Sequence, residues 1–350
     1  MLRILDVNLN RIGEGLRLLE DITRFVLNDP ELSEQLKNMR HELLPKDRSL
    51  QNRLLKARRA NEDVGAFLDV DSEAERTDTI SLVSANSRRV QQSLRVLEEL
   101  AKVHGDDFGL DWDKFKHARF ALYTLEQKIV LELLRHNKKE QVSGLYVIVD
   151  TQALRGRSEL DVARQAIQGG ARIIQLRDKL RPKGMLVPIA RELKNVCAES
   201  DVLFIVNDYI DLAIDSDADG LHIGQEDLPF DTAREMLPGD KILGCSAATL
   251  EEALKAEKDG ADYIAVGSIY PTPSKSGTRI AGLKVLRQVK KKVSVPVVAI
   301  GGINEDNIAN VIRAGADAVA VISAVLGSKN VKEASQRLTK IINKGHSKTG

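Results

Sequence analysis

The sequence predicts an α/β chain in two parts: an all-α N-terminal domain, then a (β/α)8 TIM barrel. Three observations carry that prediction. Residues 1–137 place apolar side chains at spacings of three and four almost throughout, the period of an amphipathic helix. From Gly144 onward, short apolar runs alternate with helical stretches, which implies right-handed crossovers and a parallel sheet. There are eight such runs between Gly144 and Asn343, which fits a small closed barrel better than an open doubly wound sheet.

In order along the chain, Ile12, Leu16, Leu19 and Ile22–Phe25 mark a first helix, and Val90, Leu94, Leu97 and Leu100 mark another. Asn8–Asp21 aligns without gaps to Asn86–Glu99, sharing Asn, Arg, Leu, Arg, Leu and Glu, so an internal helix duplication is expected within domain 1–137. A further helix covers 113–136, with Phe115, Phe120, Leu122, Leu125, Ile129, Leu133 and Leu134. The polar stretch around His136–Gln141 places a linker at 138–143. The barrel domain is expected at 144–343, and 344–350 as a disordered tail. Its strands are the runs GLYVIVD, ARIIQLR, VLFIVND, ADGLHIG, KILGCS, YIAVGS, PVVAIGG and AVAVIS. Helices are expected at 158–168, 183–199, 229–237, 249–258, 282–291 and 304–314, with a short turn or helix at 209–215.

Composition narrows the function. A length of 350 residues favours two domains. Hydrophobic residues at 43%, charged at 29% and aromatic at 4% are those of a soluble globular protein. The net charge of +1, from 52 basic and 51 acidic residues, argues against a general nucleic-acid binder. Cys197 and Cys245 are too few for a disulfide framework and point to a reducing compartment. Asp6, Asn8, Asn10 and Arg11 interrupt the first apolar residues, so no leader peptide is expected. No apolar run reaches the roughly 18 residues of a membrane helix. The expected location is the cytoplasm.

The ends of the apolar runs carry the chemistry. In a parallel barrel all C-terminal strand ends face one mouth, so residues far apart in sequence meet around one ligand. Gln175, Arg177 and Lys179 alternate at a strand end and share a side. The two cations suit a polyanion such as diphosphate, and the amide suits a heterocycle edge. Asn207-Asp208 ends the third run and Asp227 follows the fourth. Two carboxylates from neighbouring strand ends can share Mg2+ with phosphate oxygens and water, although Asp208 and Asp227 are also plausible helix caps. His222, inside a strand, reads first as a satisfied core histidine and second as a catalytic group. His and Cys residues are too scattered for zinc. Ser246 ends the fifth run, where it or Thr249 can cap the next helix. No histidine stands at a helpful place in sequence, which argues against a Ser-His-Asp hydrolase. Cys245 reads as a buried strand residue.

After the sixth run, Tyr270–Thr278 is an aperiodic polar loop stiffened by two prolines, and Thr272, Ser274 and Lys275 suit phosphate. Such loops often cover a barrel mouth. Gly301-Gly302 ends the seventh run, and Ile322-Ser323 ends the eighth. Backbone N–H groups at these two places form the usual phosphate site of such barrels.

The strings QLRDK, IVNDY, ADGLHIGQED, ILGCS, VGSIYPTPSKSGT, VVAIGGI and AGADAVAVIS stand in the order found in the thiamine-phosphate synthase family, which residues 143–340 resemble. The resemblance implies a TIM barrel that joins hydroxymethylpyrimidine diphosphate to thiazole phosphate, giving thiamine monophosphate and pyrophosphate with Mg2+. It implies that Gln175, Arg177, Lys179, Asn207, Ser246 and Lys275 hold the pyrimidine diphosphate, with Arg177, Lys179, Ser246 and Lys275 acting in catalysis. It implies that Asp208 and Asp227 ligate Mg2+, and that Thr272, Ser274, Gly302, Ile322 and Ser323 hold the thiazole phosphate. Ser274 and Asp178 depart slightly from the family pattern, where Thr and Glu are common, and the side chain of Asp178 is expected to point away from the mouth.

Residues 1–135 resemble the N-terminal extension of some bacterial members, associated with a second step in pyrimidine handling. No P-loop or kinase signature is present. Asn8, Asn10, Arg11, Glu14, Arg17 and Glu20 read first as a solvated helix face or an interface with a second copy or another enzyme of the pathway, and second as a site. The polar segment Arg58–Gly65 is loop-like, with no role assigned. Two competing readings are a bifunctional enzyme and a non-synthase paralogue of the same barrel. Arg177, Lys179, Asp208 and Asp227 weigh against the paralogue, which has no diphosphate to bind.

Overall fold

The structure is a computed structural model that describes residues 1–58, 77–225, 227–272 and 279–346. The chain divides into two units, Met1–Leu134 and Arg135–Gly350.

The first unit is helical: α1 (Leu2–Phe25), α2 (Pro30–Leu43), α3 (Arg48–Ala57), α4 (Thr79–Phe108) and the start of α5 (Trp112–Glu140). Three of these helices begin at an aspartate whose carboxylate accepts from backbone N–H groups that have no partner within the helix. Asp29 caps α2 through Leu32 N at 2.9 Å, with Pro30 as the first helical residue. Asp47 caps α3 through Leu50 N at 2.8 Å. Asp78 and Ser81 form a reciprocal capping box at the start of α4. One apolar core gathers Leu5, Leu9, Ile12, Leu16 and Leu19 of α1 with Val90, Leu94 and Leu97 of α4 and Leu122 and Ile129 of α5.

The two stretches that match in sequence make equivalent bonds. The Asn8 amide donates to Ile4 O at 2.8 Å, and the Asn86 amide to Leu82 O at 2.9 Å. Glu20 and Glu98 are both buried. Each pairs with the arginine three residues before it, Arg17 or Arg95. Each also accepts from an arginine of the following helix, Arg40 on α2 at 2.9 Å and Arg119 on α5 at 3.0 Å. Charge-assisted bonds of this kind are how a buried carboxylate is tolerated.

The stretch 138–143, expected as a linker, is helical as far as Glu140. Its polar residues are docked rather than loose: Lys138 donates to both the carbonyl and the carboxylate of Asp240 at 2.9 Å, and Val142 is buried.

The second unit is a closed ring of eight parallel strands in sequence order: β1 (Gly144–Asp150), β2 (Ala171–Arg177), β3 (Leu203–Asn207), β4 (Gly220–Ile223), β5 (Ile242–Ala247), β6 (Tyr263–Val266), β7 (Val297–Ile300) and β8 (Ala318–Val321). The connecting helices are α6 (Glu159–Gln168), α7 (Lys183–Ala198), α8 (Ile210–Asp215), α9 (Phe230–Met236), α10 (Leu250–Lys258), α11 (Gly282–Lys290), α12 (Ile308–Arg313) and α13 (Ser323–Leu326). A last helix, α14 (Val331–His346), occupies the region where a tail was expected from residue 344, and 347–350 lie outside the described residues. Its buried Val331, Leu338 and Ile342 explain the difference, since they continue a helical stripe into the barrel's outer core.

Alternation along each strand sorts the barrel. Val147, Val149, Ile174, Phe204, Val206 and Ile264 belong to the core shared with the helices. Tyr146, Ile148, Ile173, Ile205, Tyr263 and Val298 fill the interior. Gly244 is set by that filling: a Cβ there would fall within 2.5 Å of three ring atoms of Tyr263. Among the described residues no helix is long and apolar enough to cross a membrane.

Candidate active site

Because every strand is parallel, the C-terminal ends of β1 to β8 form a single rim, and the expected residues among those described lie along it. Arg177 closes β2 opposite Asp150, its register partner at the end of β1. The two pair directly, and the other oxygen of the buried Asp150 accepts from Gln152 N at 2.9 Å. Asp150 was not among the expected site residues. The signal was there, since GLYVIVD ends in an acid at the same rim as the other runs, but an acid opposite an arginine is recognised only from the register.

Lys179, just past β2, pairs with Asp208, just past β3. Burial works most strongly against the ammonium charge, but the hydrogen bond to Asp208 and the negative charges of Asp208 and Asp227 together outweigh it and raise the Lys179 pKa. Asn207 donates to the same Asp208 oxygen at 2.6 Å. Asp208 has φ 61, a left-handed backbone uncommon outside glycine. It is not a helix cap, because the N-cap of α8 is Tyr209, with no side-chain cap bond. The cap reading of Asp227 fails likewise: the N-cap of α9 is Pro229, with no side-chain cap bond. Asp227 instead turns back to accept from Gly224 N at 2.8 Å. Burial raises the pKa of Asp208, and the neighbouring Asp227 carboxylate raises it further.

That pair of mutually disfavoured carboxylates, in one place with the Lys179 ammonium, is a donor set suited to a hard divalent cation held by one or two carboxylates plus further oxygens. Among the described residues no group of three or more His, Cys, Asp or Glu side chains that could hold a metal ion gathers at this rim or anywhere else.

Asp178 was expected to point away from the mouth, and its bonds are to Thr151, Leu180 and Arg181. Its buried carboxylate accepts from Thr151 Oγ1 at 2.7 Å, Leu180 N at 2.7 Å, Arg181 N at 3.0 Å and Arg181 Nε at 2.6 Å. It thus fixes the turn that carries Lys179. Burial alone would push its pKa up, but these donors prevail and bring it down to about 2.

Gln175 is buried and donates to the Tyr146 hydroxyl at 2.8 Å. Ser246 at the end of β5 does not cap α10; Thr249 does, in a capping box with Glu252. Contrary to the sequence expectation, a histidine does reach Ser246: His222 Nε2 lies 2.9 Å from its hydroxyl. Strands β4 and β5 are neighbours, so 24 positions in sequence vanish across one ladder. The other imidazole nitrogen bonds the Tyr263 phenol at 3.0 Å rather than a carboxylate, so this is no Ser-His-Asp arrangement.

Strands β7 and β8 pair up to Ile300 and Ala320, which brings the Gly301-Gly302 turn beside Ile322-Ser323. Gly302 has φ 64, and a Cβ there would meet Pro271 O at 2.5 Å and Tyr270 Cβ at 2.8 Å, so only glycine fits. Thr272 is half-buried in the same loop. Ser274 and Lys275 lie outside the described residues.

Comparison with known proteins accords with this geometry. The family described as "Thiamine monophosphate synthase" matches residues 145–325, and the "ThiD2 family" matches residues 3–128. A thiamine-phosphate synthase of Synechocystis is 40% identical over 336 residues, covering 96% of this chain and 94% of the relative. The chain belongs to the thiamine-phosphate synthase family. A thiamine-phosphate synthase from Moorella thermoacetica is 49% identical over 206 residues, 58% of this chain but 98% of its own length. The solved thiamine phosphate pyrophosphorylase of Pyrococcus furiosus superposes with a TM-score of 0.55 at 42% identity, covering 60% of this chain and 99% of that one. As a member of this family, the protein is a transferase with small-molecule substrates.

Proposed function

We propose that the barrel joins hydroxymethylpyrimidine diphosphate to thiazole phosphate, releasing pyrophosphate and forming thiamine monophosphate, in the cytoplasm and with Mg2+. The observation that carries this reading is the cationic and acidic cluster of Arg177–Asp150 and Lys179–Asp208 on adjacent strand ends, with Gln175 on the same strand as Arg177. The pyrimidine CH2–O bond breaks with its electron pair leaving on diphosphate. The electron-rich aminopyrimidine delocalises the cation left behind, and the thiazole nitrogen lone pair then forms the new C–N bond. Arg177, Lys179 and Lys275 neutralise charge as it builds on the leaving group, each contact being worth about 2–4 kcal/mol of barrier by analogy with oxyanion donors. Asp208 and Asp227 would hold Mg2+, which when bound supplies further charge neutralisation at the diphosphate. Asn207 and Ser246 orient the diphosphate. Thr272, Ser274, Gly302, Ile322 and Ser323 hold the thiazole phosphate. No strong base is required.

Asp208→Ala tests the assignment. Mg2+-dependent turnover should fall below detection while the thermal melt stays close to that of the parent; turnover within about threefold would mean that the metal assignment is wrong. The separate family match of residues 3–128 favours a second reading in addition, in which the helical unit also acts on the pyrimidine phosphate. Incubating the full chain with pyrimidine monophosphate and ATP, and looking for the diphosphate, tests it.

A further inference from the structure

The two cations at the end of β2 are held by different acids. Arg177 pairs with Asp150 on the β1 side. The side chain of Asp150 is 7% exposed, and its other oxygen accepts from Gln152 N at 2.9 Å, so this acid is fixed in place. Lys179 pairs with Asp208 on the β3 side, and Asp208 is also one of the two carboxylates suited to a divalent cation. One acid thus faces two claims.

Those claims conflict. Lys179 Nζ and Asn207 Nδ2 both donate to Asp208 Oδ2, which fills the lone pairs of that oxygen. A divalent cation can bind Oδ2 only by displacing one of these donors, and the lysine is the flexible one. A cation on Oδ1 instead would sit beside the ammonium, and like charges repel strongly where water is largely excluded. The Asp208 side chain is 10% exposed. Asp227 weighs on the same side, since its charge acts on both Lys179 and Asp208. One ammonium leaves these two carboxylates with a net negative charge, whereas a divalent cation neutralises both. The lysine is able to move away, because its side chain is 39% exposed on a flexible stem.

We propose that Lys179 and a divalent cation trade places on Asp208, so that metal binding frees the ammonium for a diphosphate. Lys179 opposes the metal while no anion is bound. An anion that takes the ammonium removes that opposition, so metal and anion bind with positive coupling, each strengthening the other by the same factor. Arg177 stays out of the exchange, because its own acid remains with it. A diphosphate therefore meets the full set of positive charges only together with the metal. This rests on the reading of Asp208 and Asp227 as metal ligands.

The test is Mn2+ binding to the full chain, read from the electron paramagnetic resonance of the free ion with no substrate present. Lys179→Met keeps most of the stem and removes the charge, and it should bind Mn2+ about tenfold tighter than the parent. Arg177→Met removes a charge of the same sign nearby and should stay within about threefold of the parent. Saturating inorganic phosphate, after subtraction of the Mn2+ it holds in solution, should tighten Mn2+ binding at least about threefold more in the parent than in Lys179→Met. A gain below about threefold in Lys179→Met would overturn the exchange. So would equal gains in Lys179→Met and Arg177→Met, which is what a summed positive field would give, or an equal effect of phosphate on parent and Lys179→Met. Each of these results leaves the metal site standing. Mn2+ binding that is absent from the parent, or unchanged in Asp208→Ala, would overturn the metal reading and the exchange with it.

Discussion

Replacing Asp178 by asparagine removes one charge and almost no volume from the turn after β2. In the parent, the four donors around Asp178 favour its ionised form and bring its pKa from 3.8 to about 2. Because the folded value lies below the unfolded one, ionised Asp178 stabilises the fold above the unfolded pKa, and that stability is lost as pH falls through the folded pKa. At about 1.4 kcal/mol per pKa unit, the shift corresponds to about 2 kcal/mol at neutral pH. About half of this should be gone by pH 3. Asparagine mimics the protonated acid, so the stability gap between parent and Asp178→Asn should be widest at pH 7 and should narrow steadily from pH 4 downward. Urea unfolding followed by circular dichroism at a series of pH values measures the gap. A gap that stays constant over that range would refute the argument, because it would show that shape rather than charge holds the turn.

Two further outcomes follow from the geometry. Gly244→Ala drives a methyl group into the Tyr263 ring and should lower stability by about 1–3 kcal/mol, a fall of a few degrees in the calorimetric melting temperature of the barrel; an unchanged melt would mean that the interior can yield. Asp150→Asn leaves Arg177 without its charge partner and should reduce kcat/KM at least tenfold with little change in melting temperature, measured by steady-state kinetics on the pyrimidine diphosphate.

The barrel was legible because its strands are short, nearly continuous apolar runs that alternate with helical stretches. Thr249 was one of two candidate caps in the sequence, beside Ser246, and the structure settles on Thr249, paired with Glu252. The run ends exposed most of the rim, since position in a parallel strand already says which way a terminal residue faces. What stayed hidden needed the register between strands. His222 and Ser246 lie 24 positions apart, yet one ladder step joins β4 to β5. Asp150 gains meaning only when β1 is laid against β2. The end of α5 was misread as a linker for the opposite reason: Lys138 is polar because it pairs with Asp240, a partner about a hundred residues away that local composition cannot reveal. The paired arginines of Glu20 and Glu98 likewise extend the sequence match into helices whose own sequences show no such likeness.

The most direct measurement is product stoichiometry. Purified chain, aminopyrimidine diphosphate, thiazole phosphate and Mg2+ should yield thiamine monophosphate and pyrophosphate in equal amounts, with neither formed when either substrate is left out. Pyrophosphate released without the coupled product, or no turnover from a protein that melts cooperatively, would contradict the account.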